Sequence, residues 1–308
     1  MRKTLVSVII PSKNRPDYVI QALDSVLAQT YKNIEIIVVD DGSTTPLEPL
    51  LRERYGRQLA FVRHEQSLGA SAARNAGAQY SSGEFVAFLD DDDLWLPCKI
   101  EKQMKIFLDL THDYGVVYCG YDFLVESKTI ERNNKYCDSS ELYPLSLKGC
   151  PVGSPTPIIR KSFFNTVGGF DVDLKALEDW AFWIKLSKVC RFHQIKESLA
   201  LYRVHGAQIT SSVESNINAR VKIFKKYKDD FIAHPEILSR KYGRTGALYS
   251  ILGDEKRSKA FYRLALACDK NNYNAHIHNY LIKISPKLDK YLTEYFGITR
   301  VGGVRLIH

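Results

Sequence analysis

Four consecutive aspartates, Asp90–Asp93, follow directly on the apolar run Phe85-Val86-Ala87-Phe88-Leu89. Carboxylates this close repel one another and resist desolvation, so the end of a buried strand is a costly place to gather them. In extended backbone alternate side chains project to opposite sides, which sets Asp90 and Asp92 on one side and Asp91 and Asp93 on the other. Two carboxylates on one side, completed by waters and phosphate oxygens, make a site for a hard cation, Mg2+ or Mn2+. The alternative is an exposed acidic turn that caps a helix beginning near Pro97, because acids favour helix N-termini. Asp93 suits that cap.

Other residues with chemical potential are spread along the chain. Asp40-Asp41-Gly42-Ser43 closes a second β-branched run and is also good turn sequence. Arg74 stands on a small-residue helix, where it would pair with a phosphate or with the acidic run. Glu178-Asp179 fits the acidic first turn of a helix. Trp180 and Trp183 follow at helical spacing, which suits a buried core as well as a sugar platform. His205 follows the strand-like Leu199–Val204. No GxGxxG follows the first strand and no GxxxxGK[ST] occurs, so a nucleotide would be held without the usual phosphate loops.

The elements that must position these residues alternate. Apolar β-branched runs at Leu5–Ile10, Ile34–Val39, Leu59–Arg63, Glu84–Leu89 and Val116–Val125 read as strands. Helical spacing marks Asp17–Gln29, opened by Pro16, then Leu47–Tyr55, Gly69–Tyr80 and Pro97–Leu110. Short connections between them predict an α/β fold with a mostly parallel sheet flanked by helices. Ligands of such sheets sit off the carboxyl ends of the strands, so Pro11–Arg15, Asp40–Ser43 and Asp90–Asp93 should line one cleft. Residues 213–308 are helical by pattern.

At 308 residues, with 45% hydrophobic and 25% charged side chains, the chain has the composition of a soluble globular protein. No apolar run approaches the ~18 residues needed to span a bilayer. The first ten residues read as a strand rather than a leader, because the apolar stretch runs into Pro11, Lys13 and Arg15. Six cysteines without CxxC spacing argue against a zinc site or a disulfide scaffold. They fit a reducing cytoplasm, as does the lack of an Asn-x-Ser/Thr sequon. Residues 213–308 hold 18 Lys/Arg against 9 Asp/Glu and carry +9, whereas residues 1–212 carry −1. A basic tail points to an anionic partner or to a solvated lysine-rich surface.

Four motifs together carry a resemblance. Val6-Ser7-Val8-Ile9-Ile10-Pro11-Ser12-Lys13-Asn14-Arg15, Val38-Val39-Asp40-Asp41-Gly42-Ser43, Gly69-Ala70-Ser71-Ala72-Ala73-Arg74-Asn75-Ala76-Gly77 and Gly83–Asp93 resemble, in order and spacing, family 2 glycosyltransferases of the GT-A (Rossmann-like) fold. Val167-Gly168-Gly169-Phe170-Asp171, Leu177-Glu178-Asp179-Trp180 and Tyr202-Arg203-Val204-His205-Gly206 extend it, so that it covers residues 1 to about 212. The resemblance implies an inverting, metal-dependent transfer from a nucleotide-diphosphate sugar. It makes Asp41 the acceptor of a uracil imide N–H, and Pro11, Ser12, Asn14 and Arg15 the rest of the nucleotide wall. Arg74 faces phosphate. Asp90 and Asp92 form the family's Asp-x-Asp motif, with Asp92 the principal ligand of Mn2+ or Mg2+, Asp91 near ribose or sugar, and His205 a further metal or diphosphate ligand. Asp179 becomes the general base, Glu178 a group that orients the acceptor, and Trp180 an acceptor-positioning residue. A sugar hydroxyl is far less acidic than a carboxylic acid at ~3.9, so proton removal must accompany C–O bond formation.

Residues 127–157, including Asn133-Asn134 and Cys150-Pro151, have little pattern and read as a loop toward the acceptor. Residues 241–272 resemble a single tetratricopeptide repeat at Tyr242, Gly246, Tyr249, Ser258, Tyr262 and Ala265, though Thr245 and Lys270 depart from it. One repeat cannot bury its own face, so it must dock on neighbours. The expected organisation is a GT-A domain over residues 1–212 and a basic helical region over 213–308. The expected donor is a UDP-sugar. By resemblance, the acceptor is a glycan, lipid-diphosphate-linked, as in surface polysaccharide assembly. The expected place is the cytoplasm, peripheral to an anionic membrane, with no nucleic-acid partner. Two alternatives stay open: a sugar-phosphate nucleotidyltransferase, which lacks its Gly-rich loop here, and a non-catalytic helical-repeat binding protein.

Overall fold

The computed structural model describes residues 4–132, 142–205, 212–294, 300–301 and 304–305. Asn133, Asn134 and Gly206, singled out in the sequence, lie outside the described residues. The chain divides into two compact units, residues 1–208 and 209–308.

The first unit is built on one mixed sheet. Strands β1 (Val6–Ser12), β2 (Ile34–Asp40), β3 (Leu59–Arg63) and β4 (Phe85–Phe88) pair in parallel in the order β3-β2-β1-β4. Val6, Val8, Ile9 and Ile10 are all fully buried, as expected of a parallel strand covered on both faces. The order reverses at β1, whose two neighbours lead away in opposite directions, and this is where such sheets open a ligand crevice.

Helix α1 (Pro16–Leu27) takes Pro16 in its first turn and turns Val19, Ala22, Leu23 and Val26 onto one face of the sheet. The residues of α2 (Leu47–Tyr55) and α4 (Lys99–Asp109) join that same core. Helix α3 (Ala70–Tyr80) packs on the opposite face. There a Cβ added at Gly77 would lie 2.4 Å from Ile9 Cγ2, so this close approach requires glycine.

Beyond β4 the sheet changes character. β8 (Ile158–Arg160) runs antiparallel between β4 and β6 (Tyr114–Val125), and β9 (Arg191–Val204) runs parallel to β6. β5 (Leu94–Trp95) and β7 (Lys128–Ile130) add short antiparallel edges to β9 and β6. The parallel expectation therefore describes the first four strands, and the second half is mixed. Three-residue β8 sits just after Pro155 and Pro157, too short to announce itself by alternation. Helices α5 (Leu142–Lys148), α6 (Lys161–Thr166) and α7 (Glu178–Ser187) lie in this half of the chain. Phe164 of α6 and Phe182 and Trp183 of α7 enter the core on the α3 face.

The second unit is helical: α8 (Val213–Lys226), α9 (Lys228–Ile232), α10 (Pro235–Ile251), α11 (Glu255–Cys268), α12 (Tyr273–Ile284) and α13 (Pro286–Thr293). A two-residue ladder, β10 (Arg300–Val301) with β11 (Val304–Arg305), follows. Ser212, Asp254, Asn272 and Ser285 each cap a helix by accepting from a backbone N–H of its first turn. Gly246 on α10 meets the Tyr262 ring of α11 so closely that an added Cβ would sit 2.9 Å from it. Buried Asp289 accepts from Ser250 Oγ at 2.6 Å, His278 Nδ1 at 2.5 Å and Tyr262 OH at 3.4 Å, tying α10, α11, α12 and α13 together.

Candidate active site

The loops after β1, β2 and β4 come together at the carboxyl ends of their strands. Ser12 Oγ donates to Asp91 Oδ2 at 2.6 Å, and Arg15 Nη1 reaches Asp91 Oδ1 at 3.2 Å and Asp92 Oδ2 at 3.0 Å. Asn14, with φ of 56°, clips the first loop to the second: its N–H donates to Ser43 Oγ and its Oδ1 accepts from Thr44 N. Asn is among the residues that tolerate this left-handed conformation. Pro11 pairs with Val39 in the β1–β2 register and is half-buried.

The last strand completes the acidic loop from the far side. His205 Nε2 lies 2.8 Å from Asp92 Oδ2, and its ring stacks on Tyr18. Arg203 N donates to Asp93 Oδ1, and Arg203 Nε to the Asp92 carbonyl. Asp93 Oδ2 is buried with no hydrogen-bond partner. Burial, then the charges of Asp90 and Asp92, push the Asp93 carboxyl well above its ordinary value. Burial likewise pushes Asp91 up to about 6, against the hydrogen bond from Ser12 and the charge of Arg15.

Arg74 is the bridge to the second carboxylate pair. Its Nη2 donates to Asp90 Oδ1 at 2.6 Å and its Nη1 to Glu178 Oε1 at 3.0 Å, with the guanidinium over the Phe170 ring. Burial opposes its charge, but Asp90 and Glu178 hold the guanidinium protonated above its ordinary range. Leu177, the residue before α7, has φ of 57° and ψ of 23°. A left-handed leucine costs on the order of 1–3 kcal/mol, the kind of backbone strain that collects at functional sites. It delivers Glu178 and Asp179 at the start of the helix. Asp179 Oδ1 accepts from Trp180 N at 2.6 Å, and Oδ2 accepts from Cys150 Sγ at 3.2 Å. Burial, then the neighbouring Glu178 charge, push the Asp179 carboxyl above its ordinary value. A carboxylate raised in this way is a better proton acceptor.

Three sequence assignments meet contacts that compete with them. Trp180 is 2% exposed and its indole N–H donates to the Ser146 carbonyl, so it is a core residue and does not position an acceptor. Asp90 engages Arg74 through Oδ1, the pairing with the acidic run that the sequence offered beside a phosphate. Asp41 is buried with both oxygens occupied: Oδ1 by His64 Nδ1 and Leu68 N, Oδ2 by Ser67 Oγ and Gly69 N. A carboxylate has about four lone-pair sites, so a nucleobase would have to displace one of these donors. Asp40 is structural as expected, accepting from Ser43 N and Leu47 N and pairing with Arg63. Sequence reasoning missed Cys150, Leu177 and Arg203 in their present roles. Arg203 lay inside the quoted Tyr-Arg-x-His run, whereas Cys150 sat in a stretch without pattern.

Comparison with known proteins now decides the family. Residues 7–167 match the family described as Glycosyl transferase family 2. The chain belongs to glycosyltransferase family 2. An uncharacterized glycosyltransferase of Rickettsia typhi is 37% identical over 218 residues, covering 68% of this chain and 66% of that one. Three further rickettsial relatives are covered over only 30–36% of their length. The Escherichia coli UDP-Glc:alpha-D-GlcNAc-diphosphoundecaprenol beta-1,3-glucosyltransferase WfgD is 29% identical over 255 residues, 82% of this chain and 95% of that one. Among solved structures, the mannosyltransferase PcManGT of Pyrobaculum calidifontis, in complex with GDP-Man and Mn2+, superimposes with a TM-score of 0.58. It is 18% identical, over 96% of this chain and 84% of that one. That likeness shows the fold, so the family 2 sheet and its flanking helices are of the GT-A kind.

The donor set fits a divalent cation of limited protein ligation. Among the described residues no three His, Cys, Asp or Glu side chains gather as a metal cage. Asp92 Oδ2 and His205 Nε2 nevertheless share one point, 2.8 Å apart. One carboxylate and one imidazole, completed by diphosphate oxygens and water, suit Mg2+ or Mn2+ in a nucleotide site.

Proposed function

We propose that this family 2 protein is an inverting glycosyltransferase that moves a sugar from a nucleotide-diphosphate donor to a hydroxyl of a lipid-diphosphate-linked saccharide. Residues 1–212 would form the catalytic domain and 213–308 its helical companion. The observation that carries the reading is the Arg74 bridge. It holds the acidic loop, through Asp90, and the start of α7, through Glu178, on one buried cation. The neighbours of Asp92 and Asp179 are thereby tied together, which supports a site that must hold two groups in line.

In this reading Ser12 and Arg15 hold Asp91 and Asp92 in place at the donor side, and Arg15 also offers a guanidinium to phosphate. Asp92 and His205 would hold the cation, which when bound offsets the charge developing on the departing diphosphate. Asp179 Oδ2 takes the proton from the acceptor hydroxyl as the new C–O bond forms. Cys150 must give up its hydrogen bond to Asp179 Oδ2, or share that oxygen, when the hydroxyl arrives. A UDP donor and a lipid-linked acceptor are supported by the name of the E. coli relative, which covers 82% of this chain. No helix among the described residues is long and apolar enough to cross a membrane, so such an acceptor would be met at the membrane surface.

Asp179→Asn tests the base. Sugar transfer from radiolabelled donor should fall by at least about 10³-fold while donor binding is retained. The melting temperature should stay level or rise, because an ionised carboxylate held above its ordinary value costs stability at neutral pH and the amide does not. Full activity in Asp179→Asn would defeat the assignment. Label reaching product from the nucleotide instead of the sugar would point to nucleotidyl transfer.

A further inference from the structure

Tyr121 stands where the two halves of the proposed active site approach each other. Strand register places it beside the acidic loop. Tyr121 pairs with Ala200 of β9, and Ala200 with Trp95 of β5, the strand that directly follows Asp93. Its ring centroid lies 5.8 Å from that of Tyr202, whose neighbour Arg203 donates its backbone N–H to Asp93 Oδ1.

The same ring touches the loop that reaches the base. A Cβ added at Gly153 would lie 2.5 Å from Tyr121 Cε1, so this loop packs against the ring as closely as a glycine allows. In the same loop, Cys150 Sγ donates to Asp179 Oδ2. The loop is anchored: the Trp95 indole N–H donates to the Pro155 carbonyl, and Gln103 Nε2 to the Thr156 carbonyl. Phe123, with its ring 5.8 Å away, and the Arg132 guanidinium, 4.2 Å from the ring centroid, pack on Tyr121 as well. A ring held by this many neighbours keeps its hydroxyl in one place.

Burial holds the phenol above its ordinary value, against the Arg132 charge, and Cys150, Asp93 and Asp179 add to the rise. The hydroxyl therefore stays an O–H donor at neutral pH, within electrostatic reach of both the acidic loop and the base. Ionised carboxylates only accept hydrogen bonds, so a sugar seated between them needs donors for its own hydroxyl oxygens. A site built to hydrogen-bond one substrate hydroxyl rejects an analogue lacking it far more strongly than an apolar pocket does. We propose that Tyr121 determines which sugar is transferred, its O–H donating to one hydroxyl of the donor's hexose. This rests on the sugar-transfer reading and names a residue that selects within it.

Titration calorimetry of the full chain with Mn2+ reads this role in binding, without an acceptor. UDP, UDP-glucose, UDP-galactose and UDP-N-acetylglucosamine are compared. The native protein is expected to bind one of the three sugar nucleotides at least about tenfold more tightly than the other two. Tyr121→Phe, which keeps the ring and its packing, should reduce that preference about tenfold, while affinity for UDP stays within about twofold. A preference unchanged in Tyr121→Phe, or no preference in the native protein, overturns the inference. So does an equal loss for UDP and all three sugar nucleotides, which is what a merely structural role would give. Native protein that binds none of the four overturns the sugar-transfer reading itself. Native binding with a preference that survives Tyr121→Phe defeats only the assignment of Tyr121.

Discussion

Two acidic turns end the two parallel strands that flank β1 in the same sheet, and their environments differ. After β2, Asp40 and Asp41 are saturated from within: Asp40 by Ser43, Leu47 and Arg63, Asp41 by His64, Ser67, Leu68 and Gly69. Burial raises the cost of each charge, but the hydrogen bonds outweigh it and hold both carboxyls below their ordinary values. After β4, the partners come from distant elements and do not suffice. Asp91 is pushed up to about 6, Asp93 well above its ordinary range, and Asp93 Oδ2 has no partner. The first turn spends its carboxylates on holding loops. The second leaves its carboxylates short of partners, a cost that the proposed cation would offset.

Breaking each turn at one carboxylate tests that contrast. Asp92→Asn should cost the larger effect in activity: transfer with Mn2+ falling about 10²–10³-fold, about 3–4 kcal/mol of barrier. The melting temperature should move little, since relief of repulsion with Asp91 and Asp93 offsets the lost contacts to Arg15 and His205. Asp41→Asn should do the opposite. One oxygen becomes an NH2 group facing two donors, which costs about 3 kcal/mol of stability and on the order of 6–12 °C in a unit of this size. Specific activity of the folded fraction should hold within a few-fold. If Asp41→Asn instead melts normally and loses affinity for UDP, the carboxylate reads the nucleobase and the contrast between the turns fails.

The sequence shows more of the first turn's neighbourhood than of the site's far wall. Strands β1, β2 and β4 are legible because each is a short apolar run with a buried centre, as at Val8–Ile10 and Val86–Leu89, and edge strand β3, half-buried at residues 60–62, because it keeps an apolar run. The acidic loops follow directly from those strand ends. What joins the two carboxylate pairs is less visible. Arg74 and Glu178 lie 104 residues apart, and no local pattern states that one guanidinium will serve both Asp90 and Glu178. Leu177's left-handed backbone and the Cys150 thiol against Asp179 depend on tertiary packing of a proline-rich stretch with no period. Trp180 was ambiguous for the opposite reason: i, i+3 tryptophans look alike whether a helix turns them inward or toward a sugar, and only the Ser146 carbonyl decides.

The Asp179 pair offers a finer test, because its two neighbours act on the carboxyl with opposite sign. Glu178 raises it, as a like charge beside a buried group does. A base works only when deprotonated, so with Asp179 as the proposed base the acid limb of the kcat/KM profile is expected to follow this group and to lie above the ordinary carboxylate range. In Glu178→Gln the like charge goes, the Asp179 carboxyl falls, and the acid limb should move to lower pH by up to about one unit, or about 1.4 kcal/mol. An acid limb that stays put in this variant would mean that another group sets it.

Cys150 acts in the other direction, and more weakly. Its S–H reaches Asp179 Oδ2 at 3.2 Å and Val152 O at 3.0 Å, so one proton is divided between two acceptors. A thiol is a poor donor, and a shared one is poorer. Still, it favours the charged form of Asp179, and its removal should raise the carboxyl further. Cys150→Ala is therefore expected to shift the acid limb to higher pH by a few tenths of a unit and to lower kcat by no more than about threefold. Cys150→Ser, which keeps a donor in place, should restore both. Opposite displacements of the limb in Glu178→Gln and Cys150→Ala would identify Asp179 as the titrating group, because no other carboxyl in the acidic loops contacts both neighbours. Displacements of the same sign would place the titrating group elsewhere, on the donor side of the Arg74 bridge.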